Sequence, residues 1–560
     1  MTRWKFENTL WLFFYITVSL VYTRGLFLGI MDVDSAQYAS ISREMYETGN
    51  YLKVYHQERD YLDKPPFLFW TSALGFRIFG VNEFGFRFFS FLFSILGVYS
   101  TYRLGRLLYN VWVGKVSALI LATCQAWFLF NHDVRTDTIL TGAATFAAWQ
   151  LLYYLKSKKP WPFIGGFTGI SVAMMSKGPI GLVIPAIAVG TYLISLGKWK
   201  KIFHWRWLAG LAWTLLLLLP MLYGLYTQYD AQPEKEVELI TSSGPQTYKG
   251  LSGIKFFFWT QSFGRITGES DWKDESSTFY FVHNFLWSFA PWSILAILAL
   301  YSRVKNNLAS DNRYKEWVSP VTFVVAFFAF SASRFKLPHY LFIAFPYAAL
   351  FTAYFVVMRL PKLKGWVKTL AVVQQYVFAL VSALVAVLLM AVVFPEKEYT
   401  SVIIWLTGVV AIIISLLKLP YTRAILAAGA FTGVMFNGVL NFRFYPELME
   451  YQPGFYLAEK IHQSHISPSD VCISFVRSIH ALEFYSQHIF CKNPDIDPDK
   501  SKFWICSGDQ LKIIEAKNIS YKILYERPAF HITLLNAAFL NPATRESQLE
   551  KVYLIEINDE

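Results

Sequence analysis

Charge is scarce in this chain, and acid is scarcer than base. Only 16% of its 560 residues are charged, with 39 Asp and Glu against 51 Lys and Arg. Cysteine is rarer still, at Cys124, Cys472, Cys491 and Cys506. There is no CxxC and no Cys/His cluster at metal-ligand spacing, which excludes a sequence-evident zinc or dithiol motif. Cys124 falls within an apolar run and reads as core. The other three lie in a polar tail, where an extracytoplasmic setting allows one disulfide and leaves one thiol over. No internal repeat and no low-complexity tract occurs, so a solenoid or a linker array is excluded. No small-residue cleavage site follows the first apolar run, Leu10 to Ile30, which therefore reads as a retained span rather than a signal peptide.

What is present is apolar sequence, 54% of the chain. Runs of about 18 to 20 apolar residues recur, the length needed to cross a bilayer as helix. The loops between them alternate in character. Arg3 and Lys5, then Arg103, Arg106 and Lys115, Lys156 to Lys159, Lys198 to Arg206, Arg303 to Lys315, Arg359 to Lys368, and Lys418 with Arg423 are basic, and basic loops mark the cytoplasmic side. The net charge of +12 thus reports orientation and does not require a nucleic-acid partner. The pattern predicts a polytopic α-helical membrane protein of about thirteen spans with its C-terminus outside the cytoplasm. From Asn441 the composition changes. Residues 442–560 read as a small extracytoplasmic α/β domain, with strands at 471–475, 503–506 and 552–555 and helices at 455–465 and 509–517. Residues 1–441 form the membrane part. Its outer loops are 31–83 and 227–278.

The outer side holds ionisable groups that the positive-inside rule does not explain. The acids are Asp32, Asp34, Asp63, Asp133 and Asp137; the bases are Lys64, Arg135, Lys177, Arg265, Arg334 and Lys336. Several sit beside Pro or Gly, in turns that fix their position. Clustered cations at a lipid edge suit an anionic headgroup, since Arg offers a bidentate fork to phosphate and Lys a point charge. A carboxylate beside them can act as a base, orient a hydroxyl or hold a metal. Plainer readings exist for each. A membrane-edge cation often only snorkels to headgroups, Asp133 pairs naturally with Arg135, and a lone His such as His132, His283 or His339 is usually an ordinary hydrogen bonder. Ser35 to Glu47 reads as a helix on the membrane surface, with Arg43 and Glu44 as a surface pair. Asp63-Lys64-Pro65-Pro66 ends one segment and opens another, because proline lacks a helix donor.

Four motifs in fixed order carry a resemblance. They are Asp34-x-x-x-Tyr38-Ala39-x-Ile41-Ser42-Arg43-Glu44 with Asp63-Lys64-Pro65-Pro66; Asp137-Thr138-Ile139-Leu140-Thr141; Ser176-Lys177-Gly178-Pro179; and Ser333-Arg334-Phe335-Lys336-Leu337-Pro338-His339-Tyr340. Together they resemble the aminoarabinose transferase family, bacterial lipid-to-lipid glycosyltransferases of the GT-C fold that are related to protein O-mannosyltransferases. The resemblance implies an inverting transfer of a sugar from a polyprenyl-phosphate donor to a lipid, glycan or protein acceptor, at the periplasmic face of the bacterial inner membrane, with lipid A-type modification as one form. It implies catalytic roles for Asp34 and Asp137. It assigns the donor phosphate to Lys64, Arg265, Arg334 and Lys336, with Tyr38 and Tyr340 beside them. Asp63 stands where the family has a metal-binding glutamate, which implies a divalent metal there. The family's Glu-His-x-x-Arg stretch reads Gln261-Ser262-Phe263-Gly264-Arg265 here, without the His. A flippase for a lipid-linked sugar is the alternative. Transporters usually carry their ionisable groups near the bilayer midplane, whereas these cluster at one face.

Overall fold

The computed structural model describes residues 3–241, 244–261, 264, 277, 279–309, 316–333, 335–395, 399–474 and 480–558. Helix α1 (Arg3–Leu26) leads into a short turn and then α2 (Asp34–Thr48). Gly49 ends α2 at φ 67°, a left-handed conformation that glycine adopts without steric cost, and its N–H bonds to Met45 O. A small hairpin follows, β1 (Tyr55–His56) against β2 (Arg59–Asp60), and then α3 (Phe67–Phe79). Pro66 stands immediately before α3, where a missing N–H costs nothing.

The chain then runs through α4 (Glu83–Leu108), α5 (Val111–Thr123), α6 (Gln125–His132), α7 (Thr136–Ser157), α8 (Pro160–Lys177), α9 (Ile180–Ser195) and α10 (Arg206–Leu225). Asn82 and Asn110 cap α4 and α5 by accepting from the N–H groups of Gly85 and Val113. Helices α3 and α4 meet at glycine. A Cβ on Gly75 would stand 2.0 Å from the Gly85 carbonyl oxygen, so only a bare Cα allows this approach.

Seven helices are long and apolar enough to cross a membrane, or up to nine if each of two bent pairs is one span. This is a multi-pass membrane protein, although the described helices do not reproduce the expected count of spans directly. Two physical reasons account for the difference. Helices α9 and Val318–Ser331 have only 16 and 14 residues, and α7 carries Thr136, Asp137, Thr138, Thr141 and Thr145, which dilute its hydropathy. Two expected crossings are broken: α5 and α6 meet at 59°, and Tyr280–Ser288 and Ser293–Lys305 at 114°. Helix Trp366–Leu388 shows what faces lipid. Val373, Val377, Leu380 and Leu384 form an exposed stripe at helical spacing, while Ala371, Gln374 and Gln375 are buried.

Two loop expectations change. Helix α2 does not lie on a surface: Ser35 and Ala36, and every residue from Tyr38 to Met45, are buried, because α3 covers one face and helix His480–Ser486 another. Arg43 is therefore buried, and it pairs with Glu47 at 3.5 Å rather than forming a surface pair with Glu44. The long outer loop also holds an antiparallel hairpin, β3 (Glu236–Thr241) with β4 (Gly244–Lys249).

The polar tail holds a five-stranded mixed sheet in the order β6-β5-β7-β9-β8. The strands are β5 (Val471–Ser474), β6 (Cys491–Lys492), β7 (Phe503–Ser507), β8 (Tyr521–Ala529) and β9 (Glu550–Ile557). β5 runs parallel to β6 and β7, and β9 antiparallel to β7 and β8. Helices Pro453–Gln463 and Gly508–Ala516 flank it. Cys472 and Cys491 are disulfide-bonded, and Cys506 and Cys124 are buried free thiols.

Candidate functional site

The site forms where α1, α6 and the loop before α2 come together, and one buried arginine holds that junction. Arg87 on α4 donates to the carbonyls of His132 (3.0 Å), Leu26 (3.2 Å) and Gly29 (2.9 Å), and also to that of Leu28. A helix C-terminus leaves carbonyls without intrahelical partners. The guanidinium satisfies those of α1 and α6 with a single fork. The tail fixes the same loop from the other side. Gln452 accepts from Asp32 N at 2.7 Å and donates to Ile30 O at 2.8 Å, while the Tyr485 hydroxyl accepts from Ile30 N at 2.9 Å.

Asp34 begins α2 and is ion-paired with Arg135 in the turn between α6 and α7. The Arg135 Nε also reaches Asp133 Oδ2 at 2.8 Å. Burial alone would lower the Arg135 pKa, but Asp133 and Asp34 outweigh it and hold the guanidinium charged. Asp137, in the first turn of α7, is nearly inaccessible. Both its oxygens bind Lys177 Nζ, at 2.6 and 2.7 Å, and its Oδ2 is 3.6 Å from His339 Nε2. The Lys177 ammonium lies 3.9 Å from the ring centre of Tyr340, a cation–π contact. His339 stands within electrostatic reach of Arg135, Lys177 and Lys64, so these parts of the chain converge.

Lys64 pairs with its neighbour Asp63. Tyr38 and Tyr61 are buried close by. Burial, then Asp34, Tyr61 and Asp63, raise the Tyr38 pKa, and burial, then Asp63 and Asp34, raise that of Tyr61. Both phenols stay neutral and remain hydrogen-bond donors. Lys336 is 7% exposed, one residue before the Leu337-Pro338-His339 stretch that lines the cavity. Arg265 and Arg334 lie outside the described residues.

A cavity of about 580 Å³ opens beside these groups. Asp34, Asp133, Arg135 and His339 supply its polar wall; Leu129, Phe130, Trp287 and Phe342 supply the apolar one; Thr533 and Leu534 of the tail close one edge. One end is thus fitted for charge and the other for hydrocarbon, the layout that an amphiphile needs.

Asp32 and Asp34 do not act as a pair, although they are two residues apart. Asp32 turns away and accepts from Ala481 N at 3.1 Å, while Asp34 faces Arg135. Asp63 belongs to no group of three or more possible metal ligands among the described residues. Arg135 and Lys177, which bind Asp34 and Asp137, stood among the outer-side bases in the sequence without an assigned role, and Arg87, which holds the carbonyls at the ends of α1 and α6, was not singled out there. Arg135 carried one signal, its place two residues from both Asp133 and Asp137.

A family model described as dolichyl-phosphate-mannose-protein mannosyltransferase matches residues 63–223. The chain is 26% identical over 380 residues to the undecaprenyl phosphate-alpha-4-amino-4-deoxy-L-arabinose arabinosyl transferase of Enterobacter sp. (strain 638), covering 65% of this chain and 62% of that protein. It is 27% identical over 329 residues to the protein of the same name from Edwardsiella ictaluri, covering 57% and 54%. The chain therefore spans somewhat less than two thirds of the length of these curated relatives. In three dimensions it superimposes on ArnT from Cupriavidus metallidurans, solved bound to undecaprenyl phosphate, with a TM-score of 0.71, 18% identity and 97% coverage of both chains. The chain is thus similar in sequence to the aminoarabinose transferases and shares the fold of ArnT.

Proposed function

We propose that this protein transfers a sugar from a polyprenyl-phosphate donor to an acceptor at the outer face of the cytoplasmic membrane. The observation that carries the reading is the linked set Asp34–Arg135–Asp133 and Asp137–Lys177–His339 at the mouth of a half-apolar cavity. Residues 1–441 provide the membrane-embedded catalytic part, built on about thirteen crossings and reentrant segments, and residues 442–560 an extracytoplasmic α/β unit. The likeness to a dolichyl-phosphate-mannose-protein mannosyltransferase model, to undecaprenyl phosphate arabinosyl transferases and to a structure solved with undecaprenyl phosphate supports the donor class; the acceptor is a lipid, glycan or protein.

In the reaction, the acceptor oxygen attacks the anomeric carbon from the face opposite the phosphate. The bond from that carbon to the phosphate oxygen breaks, its electron pair leaves on the polyprenyl phosphate, and the configuration inverts. Lys64, Lys336, Arg265 and Arg334 stabilise the charge that develops on the phosphate. Tyr38 and Tyr340 line the donor. Asp34 orients the acceptor and takes its proton where the acceptor is a hydroxyl; a phosphate acceptor brings no proton to remove. Asp137 fixes Lys177 against Tyr340 and completes the wall.

The two bent helix pairs favour a second reading, since discontinuous helices are common in transporters. One experiment separates them. Purified protein receives labelled polyprenyl-phosphate sugar and envelope-lipid acceptors, in detergent and in sealed vesicles. Transfer that falls at least about a hundredfold in Asp34→Asn, as expected for loss of a positioned base or orienting group, with donor binding retained, supports the transferase. Movement of the donor across the vesicle without transfer assigns the flippase.

A further inference from the structure

We propose that His56, His480 and Glu483 form a divalent-cation site that clamps the first outer loop to the tail. His56 ends β1 in the hairpin between α2 and α3. His480 and Glu483 lie one turn apart on helix His480–Ser486. One ligand atom from each lies within 4.8 Å of the others, a spacing that a single ion can bridge. The two imidazole rings are 4.8 Å apart at their centres.

The donor atoms are in the state that a bound cation would use. Among the described residues, His56 Nε2, His480 Nδ1 and Glu483 Oε1 are buried and make no hydrogen bond; His480 Nδ1 is 3.7 Å from Glu483 Oε2, and an unbonded buried nitrogen such as His56 Nε2 is costly unless a ligand takes it. Glu483 is 1% exposed. Its other oxygen is already oriented: Oε2 accepts from Gln57 Nε2 at 2.6 Å. The helix is held in place as well, since Ser40 Oγ donates to His480 O at 3.1 Å. Supporting bonds of this kind aim metal ligands. Two imidazole nitrogens and a carboxylate suit zinc or another late first-row dication rather than magnesium or calcium, and leave a fourth position for water.

One cation already competes. Lys492 Nζ is 3.0 Å from Glu483 Oε1, though not aligned as a hydrogen bond. Its side chain is 44% exposed, so it can swing to solvent when a metal enters. The plain alternative is a Lys492–Glu483 ion pair with two histidines tilted against each other beside it and no metal.

The test uses full-length protein in detergent, with the affinity tag removed. After dialysis against EDTA and reloading with Zn²⁺, elemental mass spectrometry should find about one zinc per chain, and the thermal midpoint should rise and fall back with EDTA. His56→Ala and Glu483→Gln should bind at least about tenfold more weakly, the scale of losing a ligand's support, and should lose the zinc-dependent rise while keeping the EDTA-state midpoint. Co²⁺ loading should give visible ligand-field bands that His56→Ala removes. Lys492→Met should bind zinc more tightly than the parent. Substoichiometric zinc in the parent, zinc content unchanged by both ligand variants, or a Lys492→Met protein that is destabilised and no better at binding zinc would each overturn the proposal. None of these readouts depends on sugar transfer, so the site stands or falls apart from the transferase reading.

Discussion

Lys177→Met tests the physics of the site directly. Asp137 is 4% exposed and Lys177 17% at their side chains. The ammonium meets both carboxylate oxygens, at 2.6 and 2.7 Å. Removing the lysine leaves a buried carboxylate with, among the described residues, the His339 ring at 3.6 Å as its remaining titratable partner. Breaking a buried pair from one side costs about 3–5 kcal/mol because the remaining charge is uncompensated. Lys177 keeps some contact with water, so the lower end, about 3 kcal/mol, is expected. Methionine conserves most of the stem and its packing on Tyr340, which isolates the charge. The loss should be partly recovered in Lys177→Met with Asp137→Asn, since the double variant holds no orphan charge. Denaturant titration of the four proteins in one detergent gives the coupling energy, expected above about 1 kcal/mol for contacting residues. Donor binding should weaken in both single variants. A Lys177→Met protein as stable as the parent, with no coupling in the cycle, would refute the idea that this pair is desolvated.

Three further outcomes follow from other parts of the structure. Arg87→Leu should lose about 3 kcal/mol or more, because carbonyls at the ends of α1 and α6 lose a charged donor in a buried setting; unfolding in detergent measures it, and donor affinity should fall with it. Gly75→Ala should lose about 2 kcal/mol or more by forcing α3 from α4, where the new Cβ would meet a backbone oxygen at 2.0 Å; an unchanged midpoint would contradict the close approach. Cys472→Ser should destabilise the tail by about 3 kcal/mol, from opening a loop of sequence separation 19. Alkylation of denatured, unreduced protein from membranes should then label only Cys124 and Cys506 in the parent.

The sequence revealed the features that depend on short-range physics. Hydropathy marked the membrane part, the Pro65-Pro66 pair marked the start of α3, and the alternation around Val471, Trp504 and Leu554 marked β5, β7 and β9. Turns that carry charge next to Pro or Gly supplied Lys64 and Lys177, which the fold brings around His339. What it hid depends on pairing across distance. Arg135 looks like a local partner of Asp133, and only the fold shows it also holding Asp34, more than a hundred positions away in the chain. Arg87 sits in an apolar run, where it resembles a snorkelling cation; its carbonyl partners come from two other helices. The α2 helix has an amphipathic pattern that suits a membrane surface, but its polar face is taken by helix His480–Ser486. Composition cannot distinguish a lipid headgroup from another part of the same protein as the thing a polar face meets.

That last substitution shapes how the tail contributes. The first outer loop and the segment leading into it bond repeatedly to residues from Gln452 onward: Gln452 to Asp32 and Ile30, Tyr485 to Ile30, Ala481 to Asp32 and Gln57 to Glu483. Thr533 and Leu534 form part of the cavity edge. A domain whose only role was to sit outside the membrane would need none of these contacts. Asp34 is held by Arg135, and the segment just before it is tied to α4 by Arg87 and to the tail by Gln452, Tyr485 and Ala481. Truncation after Asn441 should therefore abolish transfer even where the membrane helices still insert, whereas a tail that only recruits acceptor would leave donor binding intact. Measuring donor affinity of the truncated protein decides between these, because only the pinned-loop arrangement requires that affinity to collapse along with turnover.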